Sequence, residues 1–504
     1  MQQFAGWFLK YRYLLLCLIL FILMGLRTNN GLWVGDFWEH SSVIRELATN
    51  PFHPKHPQLL SDAPHAFYSP YALALGLFAR FTQRSSIETL ALAGMVNLVL
   101  FLLGLYLFMA VVTPHHRSGV AFYTLLLILL FWGTAPWNYS GFYHLSNLGY
   151  VIPYPSTFSM ALALIGLGMN QRRIQARREI WLLPIFLIAV IVLLTHQITF
   201  LFLAAGLVAM TLQAKSPFWI EALKITGILL LASAATALWP YYPFLKLVFS
   251  GSGVFHSENR EMYRHVWIRT WPLLIGIPLL VVEARTNKRG PLVWMFLMLL
   301  GVYLLGTVIG AYSYGRVIAY LAFILDTLIA IYLVKLEMKL SPAASPVKQM
   351  LFSIGFTALL IAVTFKPLIQ PMMGSLQPEI GDRYEKYYFL TQHTGQYEVV
   401  LSDLNLSAMA PTFGGKVVAF YRPLAFISDQ QERRDEVARF FSENATAEYS
   451  QKVINKYQAK YVLLEKTDTS NWEAIRARIA PFSELIYRGK RFLLFEVNPS
   501  KLSP

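Results

Sequence analysis

Apolar and polar stretches alternate along the first three-quarters of the chain and then the alternation stops. Runs close to the roughly 20 apolar residues that a membrane-spanning helix needs fall at about 9–27, 86–112, 119–136, 153–169, 180–196, 198–213, 220–240, 270–283, 291–311, 317–334 and 350–369. They predict about eleven transmembrane helices. Tyr68 to Phe81 is also apolar, but it opens on Ser69-Pro70 and ends on Arg80 and Arg84. Were it to cross, every later loop would change sides, so it is assigned to an interfacial helix inside a large first loop.

Beyond about Pro371 the pattern becomes that of a soluble domain. Tyr397–Ser402, Lys416–Phe420, Lys460–Leu464 and Arg491–Val497 have strand character, and the intervening 430–442, 447–458 and 470–479 have helical character. Strands alternating with helices predict a small α/β domain. The expected division is residues 1–370 as a transmembrane domain, with a first external loop at 28–85, and 371–504 as the soluble domain.

Composition agrees with a polytopic membrane protein: 56% of residues are hydrophobic, 14% are charged, and mean hydropathy is +0.46. The net charge of +15 would suggest nucleic acid in a soluble protein. No nucleic-acid-binding motif accompanies it, and cationic loops on the cytoplasmic side explain it. Arg172, Arg173, Arg177 and Arg178, then Arg285, Lys288 and Arg289, then Lys335, Lys339 and Lys348 fall on one side of the bilayer, with Lys10, Arg12, Arg117 and Lys215. That side is assigned to the cytoplasm. The first loop, 136–155, 241–269 and the tail then lie outside, with the N-terminus inside. Cys17, the sole cysteine, excludes a disulfide framework and a cysteine metal site.

The candidate chemistry sits just past the first span, in Gly35-Asp36-Phe37-Trp38-Glu39-His40. A carboxylate at the membrane surface suits general-base work on a hydroxyl. Asp36 also suits a helix N-cap, and Glu39 and Glu46 suit a solvated helix face. His53-Pro54-Lys55-His56-Pro57 follows, then Asp62 and His65. Its histidine spacing matches no zinc signature. A divalent cation bridging Asp36 and Glu39 to a phosphate is compatible with the sequence and not required by it. Cations for a phosphate come later: His256, Arg260, Arg264, His265 and Arg269 in one loop, and Arg316 at the start of the 317–334 helix. An external arginine runs against the charge bias, so Arg316 is expected to have an anionic partner, either a ligand phosphate or a structural acid. Asp326, near mid-helix, is expected to be ion-paired or hydrogen-bonded.

An N-terminal helix, an external loop opening on Asp36 and Glu39, and many further helices resemble the GT-C superfamily of integral membrane glycosyltransferases. Ser313-Tyr314-Gly315-Arg316-Val317 resembles the arginine that opens a late helix in members of that group. Val400-Leu401-Ser402-Asp403 and Gly415-Lys416-Val417-Val418 are similar to the soluble domain some bacterial members carry. The resemblance implies a polyprenyl-phosphate sugar donor and a glycan, lipid or protein acceptor outside the cytoplasm. It implies Asp36 as catalytic base, with Glu39 beside it. Arg316, Arg264, Arg269 and His265 would contact the donor phosphate, and His40, His53 and His56 would be accessory. Asp36 and Glu39 form neither a DxD nor an adjacent pair, which leaves metal use open. Two other functions fit a chain of this composition: a lipid-linked sugar flippase or transporter, and an O-antigen-type polymerase or ligase. Polar residues gathered on one face and an acidic first loop favour the transferase.

Overall fold

The computed structural model describes residues 1–214, 217–249, 259–339, 345–377, 384–467 and 471–502. Lys215 and His256 lie outside the described residues. The chain forms two compact units. The first holds Met1–Leu32, Ala91–Trp239 and Phe255–Pro378; the second holds Trp33–Leu90, Pro240–Val254 and Glu379–Pro504. By contacts, the first loop therefore groups with the tail.

In the first unit every apolar run of the sequence is helical. Among the described residues, seven helices are long and apolar enough to cross a bilayer: Gln2–Asn29, Ser86–Val112, Phe218–Leu238, Val266–Thr286, Pro291–Val308, Tyr312–Lys339 and Pro346–Ser375. Leu145–Val151 and Pro155–Ala176 form an eighth if counted together, bent by 101°. Pro155 sits in the first turn of the second helix, which disfavours helical geometry in the residue before it. Arg117–Leu130, Glu179–Thr195 and Gln197–Thr211 are apolar but shorter. His196, between the last two, caps the second by accepting the Thr199 N–H at 3.3 Å.

Ile318–Lys339 is buried along most of its length and packs against Arg117–Leu130, also largely buried. Basic residues counted in the charge bias meet buried acids: Arg12 pairs with Glu337 at 2.7 Å, and Arg173 pairs with Glu221 at 2.6 Å. Asp326 departs from expectation. It is buried, and neither carboxylate oxygen has a hydrogen-bond partner among the described residues.

The second unit is built on a five-stranded sheet of β1 (Val399–Leu401), β2 (Lys416–Val417), β3 (Ala459–Glu465), β4 (Ser483–Arg488) and β5 (Phe492–Val497). The order is β2-β1-β3-β5-β4. β1 runs parallel to β2 and to β3, while β3–β5 and β5–β4 are antiparallel, with Leu463 opposite Leu494. β4 is the strand that the sequence pattern did not disclose. It lies at the edge with its residues only partly covered, so its apolar alternation is weak. Gln430–Phe440, Ala447–Tyr457 and Trp472–Ile479 bury Val437, Phe440, Val453, Ile454, Ile475 and Ile479 with Val462, Leu464 and Phe495. Thr446 caps the second of these helices by accepting the Tyr449 N–H at 3.1 Å.

The first loop is part of this unit's fold. Leu59 bridges Val417 in parallel, and the Val417 N–H donates to the Gln58 carbonyl at 2.7 Å, extending the sheet past β2. Helices Phe37–Thr49 and Pro70–Thr82 pack together, and Gly76 makes the contact close, since a Cβ there would lie 2.4 Å from Leu47 Cβ. Tyr68 to Phe81 is thus a helix whose partner is a neighbouring helix of the loop.

Candidate functional site

Gly35 adopts a φ of +61°, which glycine tolerates without strain, and turns the chain into helix Phe37–Thr49. Asp36 takes the N-cap position but makes no side-chain cap bond. Its Oδ1 instead accepts Arg422 Nη1–H at 2.9 Å. Among the described residues no hydrogen bond reaches its other oxygen, and the side chain is 36% exposed. One turn on, Glu39 points inward with 4% of its side chain exposed. Its Oε2 meets Arg422 Nη2, and its Oε1 lies 3.3 Å from His65 Nε2. A single guanidinium thus spans both carboxylates.

Residues seven apart lie on one helix face, so Glu46 repeats the arrangement two turns on. It accepts from Lys416 Nζ at 2.7 Å, the Lys55 N–H at 3.0 Å, Tyr397 at 3.1 Å and Gln396 at 3.1 Å. Burial pushes the Lys416 amine down to about 8, against the pull of Glu46. Glu39 and Glu46 are therefore buried and paired, where the sequence allowed a solvated face. Arg422 is 9% exposed and lies near the rings of Phe67 and Tyr421. Burial pushes its guanidinium below the ordinary value and Asp36 pulls it back.

The histidines divide sharply. His53 is exposed. His65 accepts the Phe67 N–H on Nδ1 at 3.2 Å, which puts its own proton on Nε2, facing Glu39. Burial pushes His65 down to about 3 and His40 down to about 4, with Asp36 opposing the latter. His40 stacks on Phe67. His56 accepts the Leu59 N–H at 3.1 Å, packs edge-on against His65, and is held well below the ordinary value by burial. Burial thus favours the neutral form of all three rings. Among the described residues no cluster of three or more His, Cys, Asp or Glu has the arrangement of a metal site. Arg422 takes the place between Asp36 and Glu39 that a bridging cation would need, so these residues do not fit one.

In the first unit Arg316 lies in the last turn of the short helix Tyr312–Val317. Its Nε donates to Asn259 Oδ1 at 2.9 Å and its Nη1 to Ser140 Oγ at 3.0 Å, beside the Tyr139 ring. Arg269 pairs with Glu261 at 2.8 Å and donates to the Ala135 carbonyl at 2.8 Å. Arg264 and His265 are exposed, and His265 takes a left-handed φ of +53°.

No protein-family model and no curated protein matches the chain. Solved structures do. Archaeal oligosaccharyltransferase AglB from Archaeoglobus fulgidus, in complex with an inhibitory peptide and a dolichol-phosphate, superposes with a TM-score of 0.56 at 12% identity, over 99% of this chain and 75% of that one. ArnT from Cupriavidus metallidurans in the apo state gives 0.57 at 11% identity, over 99% of both chains. Arabinofuranosyltransferase AftD from Mycobacteria gives 0.57 at 16% identity, over 96% of this chain and 41% of that one. All three are GT-C glycosyltransferases. The chain has the GT-C fold.

Within that fold, the second unit brings together Asp36, Glu39, His40 and His65, with His56 packed against His65; His53 stands apart. The first unit links Arg316 to Ser140 and Asn259, and sets Arg269 beside Glu261. Arg422 is the residue that sequence reasoning missed. It stands in Tyr421-Arg422-Pro423, a stretch without a motif, in a domain read as an appendage. The available signal was unmatched acidity: two carboxylates one helical turn apart call for a cation from elsewhere.

Proposed function

We propose that this protein is a membrane glycosyltransferase that moves a sugar from a polyprenyl-phosphate donor to an acceptor outside the cytoplasm. The observation that carries it is Asp36: a partly exposed carboxylate with one oxygen tied to Arg422, at the head of the helix after the first span, in a GT-C fold. A carboxylate held this way can act as a general base. It takes the proton of the acceptor hydroxyl as the acceptor oxygen bonds to the anomeric carbon. The bond from that carbon to the phosphate oxygen breaks, the phosphate leaves with the electron pair, and the configuration inverts. Cationic side chains lower the barrier by stabilising charge on the departing phosphate. Arg316 is the first choice for this, with Arg264 and His265 as exposed candidates. Arg269 is already engaged by Glu261 and is assigned to holding its own loop. Glu39 is too buried to meet an acceptor and is assigned to holding Arg422.

The topology we propose follows the charge bias: an N-terminus in the cytoplasm of a bacterial plasma membrane, and the second unit on the outer face. The test is sugar transfer by purified protein with a panel of radiolabelled polyprenyl-phosphate hexoses and pentoses, wild type beside Asp36→Asn. Transfer by wild type that is lost in a folded variant supports the assignment. Equal transfer by both removes Asp36 from catalysis.

A further inference from the structure

Resting on the reading of Asp36 as base, we propose that Arg422 is a positioning residue for the reaction, and that the C-terminal segment thereby completes the catalytic loop. Three observations converge on it. Arg422 Nη1 holds one oxygen of Asp36 at 2.9 Å while the other stays open. Arg422 Nη2 meets Glu39, whose other oxygen lies 3.3 Å from His65 Nε2. The guanidinium is 9% exposed and lies near two rings, Phe67 and Tyr421, so it has little freedom to swing away.

This geometry does two things for a base. It fixes the carboxylate rotamer, so that one oxygen faces outward in a set direction. It also sets one positive charge against two carboxylates one turn apart, tying the head of the helix to the C-terminal segment. The planar fork matters, because it reaches both carboxylates at once where a lysine reaches one. Arg422 touches no reacting atom in this scheme and acts through Asp36.

The first experiment needs no substrate. Full-length protein in detergent is treated with a water-soluble carbodiimide and glycinamide, and labelling of Asp36 is followed by peptide mass spectrometry, with exposed Asp62 as internal control. Carbodiimides activate an accessible carboxyl for coupling to the amine. Arg422→Lys retains the positive charge and is the variant expected to fold; Arg422→Gln removes it. With the oxygen held by Arg422 released, labelling of Asp36 is expected to rise severalfold in Arg422→Gln and less in Arg422→Lys, with Asp62 unchanged. Unchanged labelling in both variants overturns the proposal.

The second experiment is a double-variant cycle on radiolabelled polyprenyl-phosphate sugar transfer. Arg422→Gln alone is expected to lower kcat at least tenfold with little change in donor KM, and Arg422→Lys to restore part of the loss. In an Asp36→Asn background the same change is expected to cost nothing further, because a residue acting through Asp36 has nothing left to position. An equal loss in both backgrounds overturns the proposal while leaving Asp36 as base. Full activity in Asp36→Asn defeats the underlying reading instead, and the labelling result then stands alone as a statement about the ion pair.

Discussion

Lowering the pH from 7 to 5 should destabilise the second unit, and the size of the effect can be worked from its buried histidines. His40 and His65 are held neutral by burial, with values near 4 and 3 in the fold, against about 6.5 in an unfolded chain. Below about 6.5 the unfolded chain takes up protons that the folded chain refuses, so stability is complete above that pH and falls as pH drops. Each ring contributes a slope of about 1.4 kcal/mol per unit, which is about 2 kcal/mol at pH 5 and about 4 kcal/mol for the pair. His56 is shifted the same way and adds to the loss. For a unit of this size the midpoint of thermal unfolding should fall on the order of 10 °C. Carboxylates held below their ordinary values, such as Glu398 and Glu436, act in a lower window, and Lys416, near 8 in the fold, acts in a higher one, so pH 5 to 7 isolates the histidines. The assay is hydrogen exchange with mass spectrometry on full-length protein, corrected for the intrinsic pH dependence, reading peptides that cover 37–49 and 56–68. His65→Gln should remove about 1.4 kcal/mol per unit from the slope. A flat profile from pH 7 to 5, or labelled His40 and His65 rings titrating near 6.5 by NMR, would refute the reasoning.

Four further outcomes are expected. Lys416→Met leaves Glu46 buried without its cation and should destabilise the protein by about 3–5 kcal/mol, with much of that regained in Glu46→Gln/Lys416→Met, both read by chemical denaturation. Gly76→Ala drives a methyl into Leu47 and should cost about 1–3 kcal/mol by the same measurement, loosening the helix that begins beside Asp36. Arg316→Ala should raise the donor KM about tenfold or more, since charge-assisted bonds to a phosphate contribute about 1.5–3 kcal/mol. Arg269→Ala should instead remove a partly exposed ion pair, for about 1 kcal/mol of stability, and leave the donor KM in place.

Much of the fold was legible because bilayer thickness and the hydrophobic effect act on composition alone. Each apolar run became a helix, and the period of the tail marked β1, β2, β3 and β5 with the three helices that cover them. The acidic stretch after the first span also announced itself, because carboxylates are sparse in such a chain. Boundaries of spans were less legible: three apolar helices are short, and one pair is bent by 101°. A run of apolar residues records how much surface avoids water, and it does not record where the backbone turns.

The roles of the polar residues were decided by tertiary structure. By sequence alone Asp36 was equally a cap and a base, Glu39 and Glu46 could be solvated, and His40 and His56 could be accessory groups. Folding put Asp36 in the cap position without a cap bond and buried both glutamates together with His40, His56 and His65. It did so by bringing Arg422 and Lys416 to one face of a helix from 386 and 370 positions away. Hydrophobic periodicity is a local property of the chain, and so a sequence displays it. The partner of a buried charge is set by which distant segment the folded backbone delivers to it, and no spacing along the chain encodes that distance.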